Sequence, residues 1–289
     1  MTRAARTLLS VPVLVALLTT SMGMVAAHDA ATTELVASSQ DAPTGEQPEA
    51  ETLASSSGRS GWDISYPQCG GPFPKNGAFR IVGVNGGRAF RPNPCLGSGF
   101  GPSELRWAGM NAELYANTGN PGPRLSTRWP IGQAFPRRCT AAEPNSRECA
   151  FDYGWNAARD SYLTAVRAYI SLGWAPEGAR RTPVANQWWL DVETANSWRS
   201  KTPLNVAALA GAVRYLESVG AASVGFYSAP HMWREITGGT AAFAAYPSWV
   251  AGATTRAGAR SRCAGSGFTG GGVELTQYLS NGFDADYRC

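Results

Sequence analysis

Gln187-Trp188-Trp189-Leu190-Asp191-Val192-Glu193 is an apolar run that ends in two carboxylates spaced i, i+2. On a β-strand this spacing puts both acids on one face, with Cα atoms about 6.5–7 Å apart. Trp188, Leu190 and Val192 then point the other way, into an apolar layer, while Trp189 shares the face of Asp191. A run this apolar wants burial on both sides, which argues against a solvated edge strand with incidental acids. Two carboxylates held close together also drive their pKa values apart, so that one keeps its proton while the other stays charged.

Further apolar runs with strand character lie at 61–65, 79–84, 111–116, 223–227, 247–251 and 273–279, which with 186–192 makes seven. Helical patterns separate several of them. Trp155, Ala158, Tyr162, Val166, Tyr169 and Ile170 form one face of a helix that stops at Gly173. Thr202 as N-cap and Pro203 in the first turn open another, with the stripe Val206, Leu209, Val213 and Leu216 and a stop at Gly220. Shorter helices are expected at 103–109 and 230–237. Strands alternating with helices indicate parallel βα units, so the fold class is α/β, and seven strands suit an irregular (β/α) TIM-like barrel. The glycines of Gly83-Val84-Asn85-Gly86-Gly87 do not fit a GxGxxG fingerprint, which disfavours an open dinucleotide-binding sheet. Asn85 and Gly86 are expected to make a tight turn at the barrel mouth. The stretch from about 118 to 153 reads as one long loop insertion, of the kind that covers or shapes a site.

The barrel is expected to occupy residues 61–289. Before it, residues 1–27 read as a secretory signal peptide: Arg3 and Arg6 precede an apolar run, and Val25-Ala26-Ala27 offers a cleavage site. Residues 28–60 contain no aromatic residue and six acids against Arg59 alone, the composition of a disordered linker or propeptide. From residue 61 on, 22 basic side chains, nearly all arginine, face 15 acids. A basic exported domain is drawn to anionic surfaces such as cell-wall polymers. All six cysteines lie in this part, and an even count in an exported chain implies a disulfide-stapled domain. Fifteen pairings are possible; chain proximity favours Cys139–Cys149, with Cys69–Cys95 and Cys263–Cys289 completing the set. No CxxC occurs and His231 is the only histidine beyond the linker, so neither a metal nor a cofactor is expected.

In a parallel barrel the C-terminal strand ends meet at one mouth, so acids far apart in sequence can converge there. Asp63 closes the first strand, Asp191 and Glu193 the fourth, and Asp284 and Asp286 follow the last. Of the last two, Asp284 is the expected site residue and Asp286 the exposed one. A carboxylate cluster with neither metal-binding histidines nor a nucleophile triad points to glycoside hydrolysis. Ser228 with His231 lacks a GxSxG elbow. Trp62, Trp198 and Trp233 are candidates to stack on sugar rings, against the commoner fate of core packing.

Gly61-Trp62-Asp63-Ile64-Ser65-Tyr66-Pro67-Gln68 resembles the opening strand of family 25 glycoside hydrolases, the lysozyme-type muramidases. Leu190-Asp191-Val192-Glu193 is similar to their Asp-x-Glu motif. Gly225-Phe226-Tyr227-Ser228 with Trp233, Ser248-Trp249-Val250-Ala251, Thr276-Gln277-Tyr278 and Phe283-Asp284 resemble their later strands in the same order. The chain also resembles exported actinobacterial proteins with a glycoside-hydrolase-like barrel. The resemblance implies cleavage of the β-1,4 bond after N-acetylmuramic acid in peptidoglycan. It implies Glu193 as general acid and Asp191 as stabiliser of positive charge, or as the group orienting the substrate's acetamido nucleophile. Asp63, Asp284, Tyr227 and Gln277 would then serve substrate binding, with Trp189 as a wall of the site. Two departures stand out: Asn85-Gly86-Gly87 occupies a place where the family commonly carries an acid, and Leu114-Tyr115-Ala116-Asn117 replaces a Tyr-His-aromatic motif. The expected protein is a secreted, monomeric glycosidase whose partner is cell-wall polysaccharide, with no nucleic acid and, once the signal is removed, no membrane. The alternative is a catalytically inactive wall-glycan-binding protein on the same barrel.

Overall fold

The structure, a computed structural model, describes residues 59–174 and 186–289. The expected signal peptide and all of the expected linker but Arg59 and Ser60 lie outside the described residues. Those two belong to the barrel: Ser60 begins its first strand, and the Arg59 carbonyl accepts from the Arg288 N–H at 2.8 Å.

Eight strands close in sequence order: β1 (Ser60–Ile64), β2 (Arg80–Gly83), β3 (Glu113–Asn117), β4 (Gln187–Asp191), β5 (Ser223–Ser228), β6 (Ser248–Ala253), β7 (Val273–Ser280) and β8 (Phe283–Arg288). Neighbours from β1 to β7 pair in parallel, whereas β8 runs antiparallel to both β7 and β1. The C-terminal ends of seven strands and the N-terminal end of the eighth therefore share one mouth. The expected TIM-like barrel is present, with eight strands instead of seven. The added strand is held by an Asn281-Gly282 hairpin turn, where both residues have positive φ (52° and 78°), the geometry of a two-residue hairpin turn.

Side chains alternate across the wall of the barrel. Ile64, Val82, Leu114, Trp188, Leu190, Val224 and Phe226 face outward into the main apolar core beneath the helices. Ile81, Trp189, Trp249 and Leu275 fill the interior, flanked by Phe79, Tyr115 and Tyr227. The end of the barrel opposite the mouth is closed by Arg288, which pairs with Glu113 and, at 3.1 Å, with Glu274, and lies over the Phe79 ring.

Besides a short 3-10 helix at Tyr66–Gln68, five α-helices are described: α1 (Glu104–Ala108), α2 (Arg147–Ser171), α3 (Thr202–Ser218), α4 (Pro230–Thr237) and α5 (Arg256–Arg262). α2 starts earlier than its aromatic stripe suggested, because the Ser146 hydroxyl caps it by accepting from the Cys149 N–H. Its stripe is buried at Ala158, Tyr162 and Tyr169, but Ile170 is exposed. In α3, Thr202 is the first helical residue and Lys201 the N-cap, one position before the expected one. α2 and α3 pack closely: a Cβ on Gly154 would lie 1.8 Å from the Ala208 carbonyl oxygen, and one on Gly211 1.9 Å from that of Phe151. The disulfides are Cys139–Cys149, which chain proximity favoured, and Cys69–Cys95 and Cys263–Cys289, the two pairs expected to complete the set. The irregular segment 118–145 is tied to the start of α2 by the second of them. No helix among the described residues is long and apolar enough to cross a membrane.

Candidate active site

Three strand ends bring five acids to the mouth. Asp63 comes from β1, Asp191 from β4 with Glu193 just beyond it, and Asp284 and Asp286 from β8. The antiparallel pairing of β8 with β1 is what makes this possible: it sets Asp284 directly opposite Asp63 and Asp286 opposite Gly61.

Asp63 is 6 % exposed and sits in a chain of polar contacts. The Gln277 amide donates to its Oδ2 at 3.0 Å, and the Tyr227 hydroxyl donates to Gln277 Oε1 at 2.8 Å. On its other side it hydrogen-bonds the carboxyl of Asp286, which two carboxyls can do only if one holds a proton. Burial, then the charge of Asp284, push Asp63 up to about 7, against the hydrogen bonds from Gln277 and Asp286. Asp286 is fully buried, and its Oδ1 accepts from the Trp249 indole at 2.8 Å. Burial and the Asp63 charge hold it well above the usual carboxylate range, so it is the proton-bearing partner. The expectation that Asp286 is exposed is thus corrected: as the fourth residue of β8 it shares the inward face of Asp284, two positions before it.

Asp191 is 3 % exposed. Its Oδ2 accepts from the Asn117 amide, and its Oδ1 is buried with no hydrogen-bond partner among the described residues. Burial first, and Glu193 second, raise it well above the usual range, while the Asn117 hydrogen bond pulls the other way. Asn117 is held in turn, since its N–H donates to Asn85 Oδ1 at 2.8 Å. Asn85, 1 % exposed, also donates to the Ser161 hydroxyl of α2 at 3.2 Å. In place of the expected tight turn, Asn85 opens a loop over 85–92 that is closed by a bridge between Asn85 and Pro92. Glu193 is half-buried, and burial followed by the Asp284 charge raise its carboxyl. The Trp198 indole, half-buried at the mouth, donates to the Glu193 carbonyl at 2.7 Å.

The structure brings Asp63, Asp191, Glu193, Asp284, Tyr227 and Gln277 together. Trp189 does share the inward face of Asp191, but it lies one layer deeper, with no exposed surface, and its indole donates to Glu113 at 2.8 Å. It supports the floor under the acids and is not a wall open to a ligand. Trp233 is buried in the outer core, and Trp62 packs edge-on against Phe283 outside the barrel. Of the three sugar-stacking candidates only Trp198 touches the segment that carries Glu193, and its ring packs against the outer core. Ser228 is spent on the Val192 carbonyl at 2.7 Å while His231 points to solvent, so they form no triad. Asn117 was not read from the sequence as a site residue, and Asp286 was named there but set aside as exposed. Asp286 lies two residues from Asp284 on the inward face, and that period-2 spacing could have placed it. Among the described residues no group of three or more His, Cys, Asp or Glu is arranged to hold a metal ion.

No curated protein matches the chain. Among solved structures, a muramidase from Trichobolus zukalii superposes with a TM-score of 0.48 at 16 % identity, covering 80 % of this chain and 93 % of that one. A muramidase from Acremonium alcalophilum gives 0.46 at 14 % identity, covering 80 % and 93 %. The bacterial lysozyme from Streptomyces coelicolor gives 0.42 at 14 % identity, covering 80 % and 91 %. A family model described as "Lysozyme-like protein 1" matches residues 179–261, the span that carries Asp191, Glu193 and Tyr227. That match supports the resemblance of this chain to lysozyme-type glycoside hydrolases.

Proposed function

We propose that the protein is a secreted glycoside hydrolase that cleaves cell-wall glycan in the manner of a lysozyme. The observation that carries this reading is the convergence of Asp63, Asp191, Glu193 and Asp284 from three separate strands on one mouth, where their charges act on one another. Glycosidic bond cleavage needs a proton donor for the leaving oxygen and a negative group for the positive charge that develops on the sugar. Glu193 is the donor: it is half-buried, and burial with the Asp284 charge raises its carboxyl, so that it holds its proton to higher pH than an ordinary Glu. Asp191 is the stabiliser. The Asn117 amide fixes one of its oxygens and favours the charged form against burial; the other is buried without a partner, so Asp191 acts on the sugar through the field of its charge and not by direct contact. Asp63, Gln277 and Tyr227 form a fixed polar wall, and the Trp198 indole braces the backbone of Glu193. The barrel domain of residues 61–289, with its three disulfides, suits an extracellular site of action.

Replacing Glu193 with Gln removes the acid and keeps the shape. We expect Glu193→Gln to abolish release of reducing ends from peptidoglycan with an unchanged circular dichroism spectrum; equal release by both proteins would overturn the assignment.

A second reading, a wall-glycan-binding protein without hydrolysis, draws on the deep burial of Asp63 and Asp191 and on Asn85 in place of an acid. Sedimentation with purified walls and no new reducing ends at any pH would favour it.

A further inference from the structure

Beside the acidic mouth runs a groove of opposite character. It has a volume of about 410 Å³ and is lined in part by Arg88, Arg91 and Arg128, with no Asp or Glu in its lining. Its floor is hydrogen-bonded to the strand end that carries the acids. The Thr118 N–H donates to the Asp191 carbonyl at 3.1 Å, and the Asn196 N–H to the Glu193 carbonyl at 3.1 Å. The groove is therefore fixed in place relative to the site.

Its two walls come from segments with few other duties. The loop closed by Asn85 and Pro92 presents Arg88 and Arg91, braced by a 2.6 Å hydrogen bond from the Gly86 N–H to the Arg91 carbonyl. The disulfide-tethered insertion presents Arg128. Phe90 joins the walls: its ring meets Tyr153 edge-on at 5.4 Å and carries the Arg128 guanidinium 5.9 Å from its centroid. Phe90 holds φ at 60°, the left-handed region that non-glycine residues rarely adopt. All three arginines are exposed, and none makes an ion pair among the described residues. Three unpaired guanidinium groups around one concavity repel one another and attract anions, and each can grip a carboxylate or phosphate with two parallel N–H bonds.

We propose that this groove is a binding site for an anionic substituent of the wall glycan, a carboxylate or a phosphodiester, that docks as the sugar chain enters the acidic mouth. The inference rests on the glycosidase reading for its choice of polymer. The groove gives the insertion a purpose: bare sugar would be held by the mouth alone, and a decorated strand gains a second anchor that also fixes its register.

The test compares wild type with the R88Q/R91Q/R128Q variant, whose changes lie on the surface and spare every group of the mouth. Each protein is sedimented with bacterial cell walls in three forms: intact, stripped of phosphodiester polymers with hydrofluoric acid, and freed of stem peptides by an amidase. Reducing ends are measured in the same samples. On intact walls the variant binds about tenfold more weakly, and its binding loses most of its salt dependence. If the deficit disappears on stripped walls the ligand is the phosphodiester. If it persists on stripped walls the ligand is a carboxylate: loss on peptide-free strands, despite the lactyl carboxylates that the amidase exposes there, assigns it to the stem peptide, and persistence assigns it to the sugar chain, those lactyl groups included. Equal binding of variant and wild type to all three forms would overturn the proposal. Loss of binding in the variant, with no reducing ends released by wild type, would retain the groove and reject the glycosidase reading.

Discussion

Asp284 lies directly opposite Asp63 in the antiparallel ladder that joins β8 to β1. Like charges at opposed positions repel, and here the pair is also partly cut off from water. Next to burial, Asp284 is the largest cause of the rise of Asp63 to about 7. Asp284→Asn keeps the shape and removes the charge. The Asp63 carboxyl, followed by carbon-detected NMR titration, is expected to move down toward the ordinary Asp range; an unchanged titration would show that the two groups do not communicate.

Raised carboxyl pKa values make the fold acid-tolerant. Asp63 and Glu104 are pushed up to about 7 and Asp152 to about 6, all mainly by burial. Between roughly pH 4 and pH 7 these groups hold protons in the folded state and have lost them in the unfolded chain. Their stabilising contribution is complete below the unfolded values near 4 and is lost as pH rises through 6 to 7. The thermal midpoint should therefore fall from pH 4.5 to pH 7.5. Glu104, which accepts from Asn93 at 2.6 Å, can be made non-titrating as Glu104→Gln, and the slope should then flatten. A midpoint that rises over this range would contradict the account.

Gln277 is the link between Tyr227 and Asp63. Gln277→Leu leaves a buried carboxyl without its donor and a hydroxyl without its acceptor, at a cost of about 1–3 kcal/mol in unfolding free energy. Because Asp63 and Tyr227 then lose their fixed positions, glycan cleavage should fall at least tenfold. Denaturant melts and reducing-end assays on the one variant check both figures.

The layer under the acids depends on a residue with no side chain. A Cβ on Gly225 would lie 2.3 Å from the Trp189 ring, which is fully buried between Gly225 and Trp249. Gly225→Ala must displace that ring, with a loss of about 1–3 kcal/mol and a changed near-ultraviolet dichroism spectrum. A spectrum and stability equal to wild type would mean that the interior is looser than described.

The parts of this fold that were legible in the sequence are those with strong local periodicity. The apolar run 186–192 foretold a buried parallel strand, and Trp188 and Leu190 do face the outer core. β8 was missed because its inward residues are Asp284 and Asp286, which read as polar tail; the alternation Phe283, Ala285, Tyr287 and the preceding Asn281-Gly282 turn carried the information. α5 was missed for a related reason: it is arginine-rich and buries only Ala259. In the site, the acids at strand ends were legible from chemistry alone. Depth was not: Trp189 and Asp191 share a face, and only the barrel's layering decides that one meets the mouth and the other the floor. Asn85 and Asn117 were opaque because their role lies in contacts to each other and to Asp191 across three strands.

The most direct test of the central claim is the product analysis of peptidoglycan incubated with the wild-type protein across pH 4 to 8. The account predicts soluble muropeptides ending in newly formed reducing N-acetylmuramic acid, with a rate that declines once pH rises past the elevated pKa of Glu193. Walls that bind the protein throughout this range and yield no new reducing ends would contradict it.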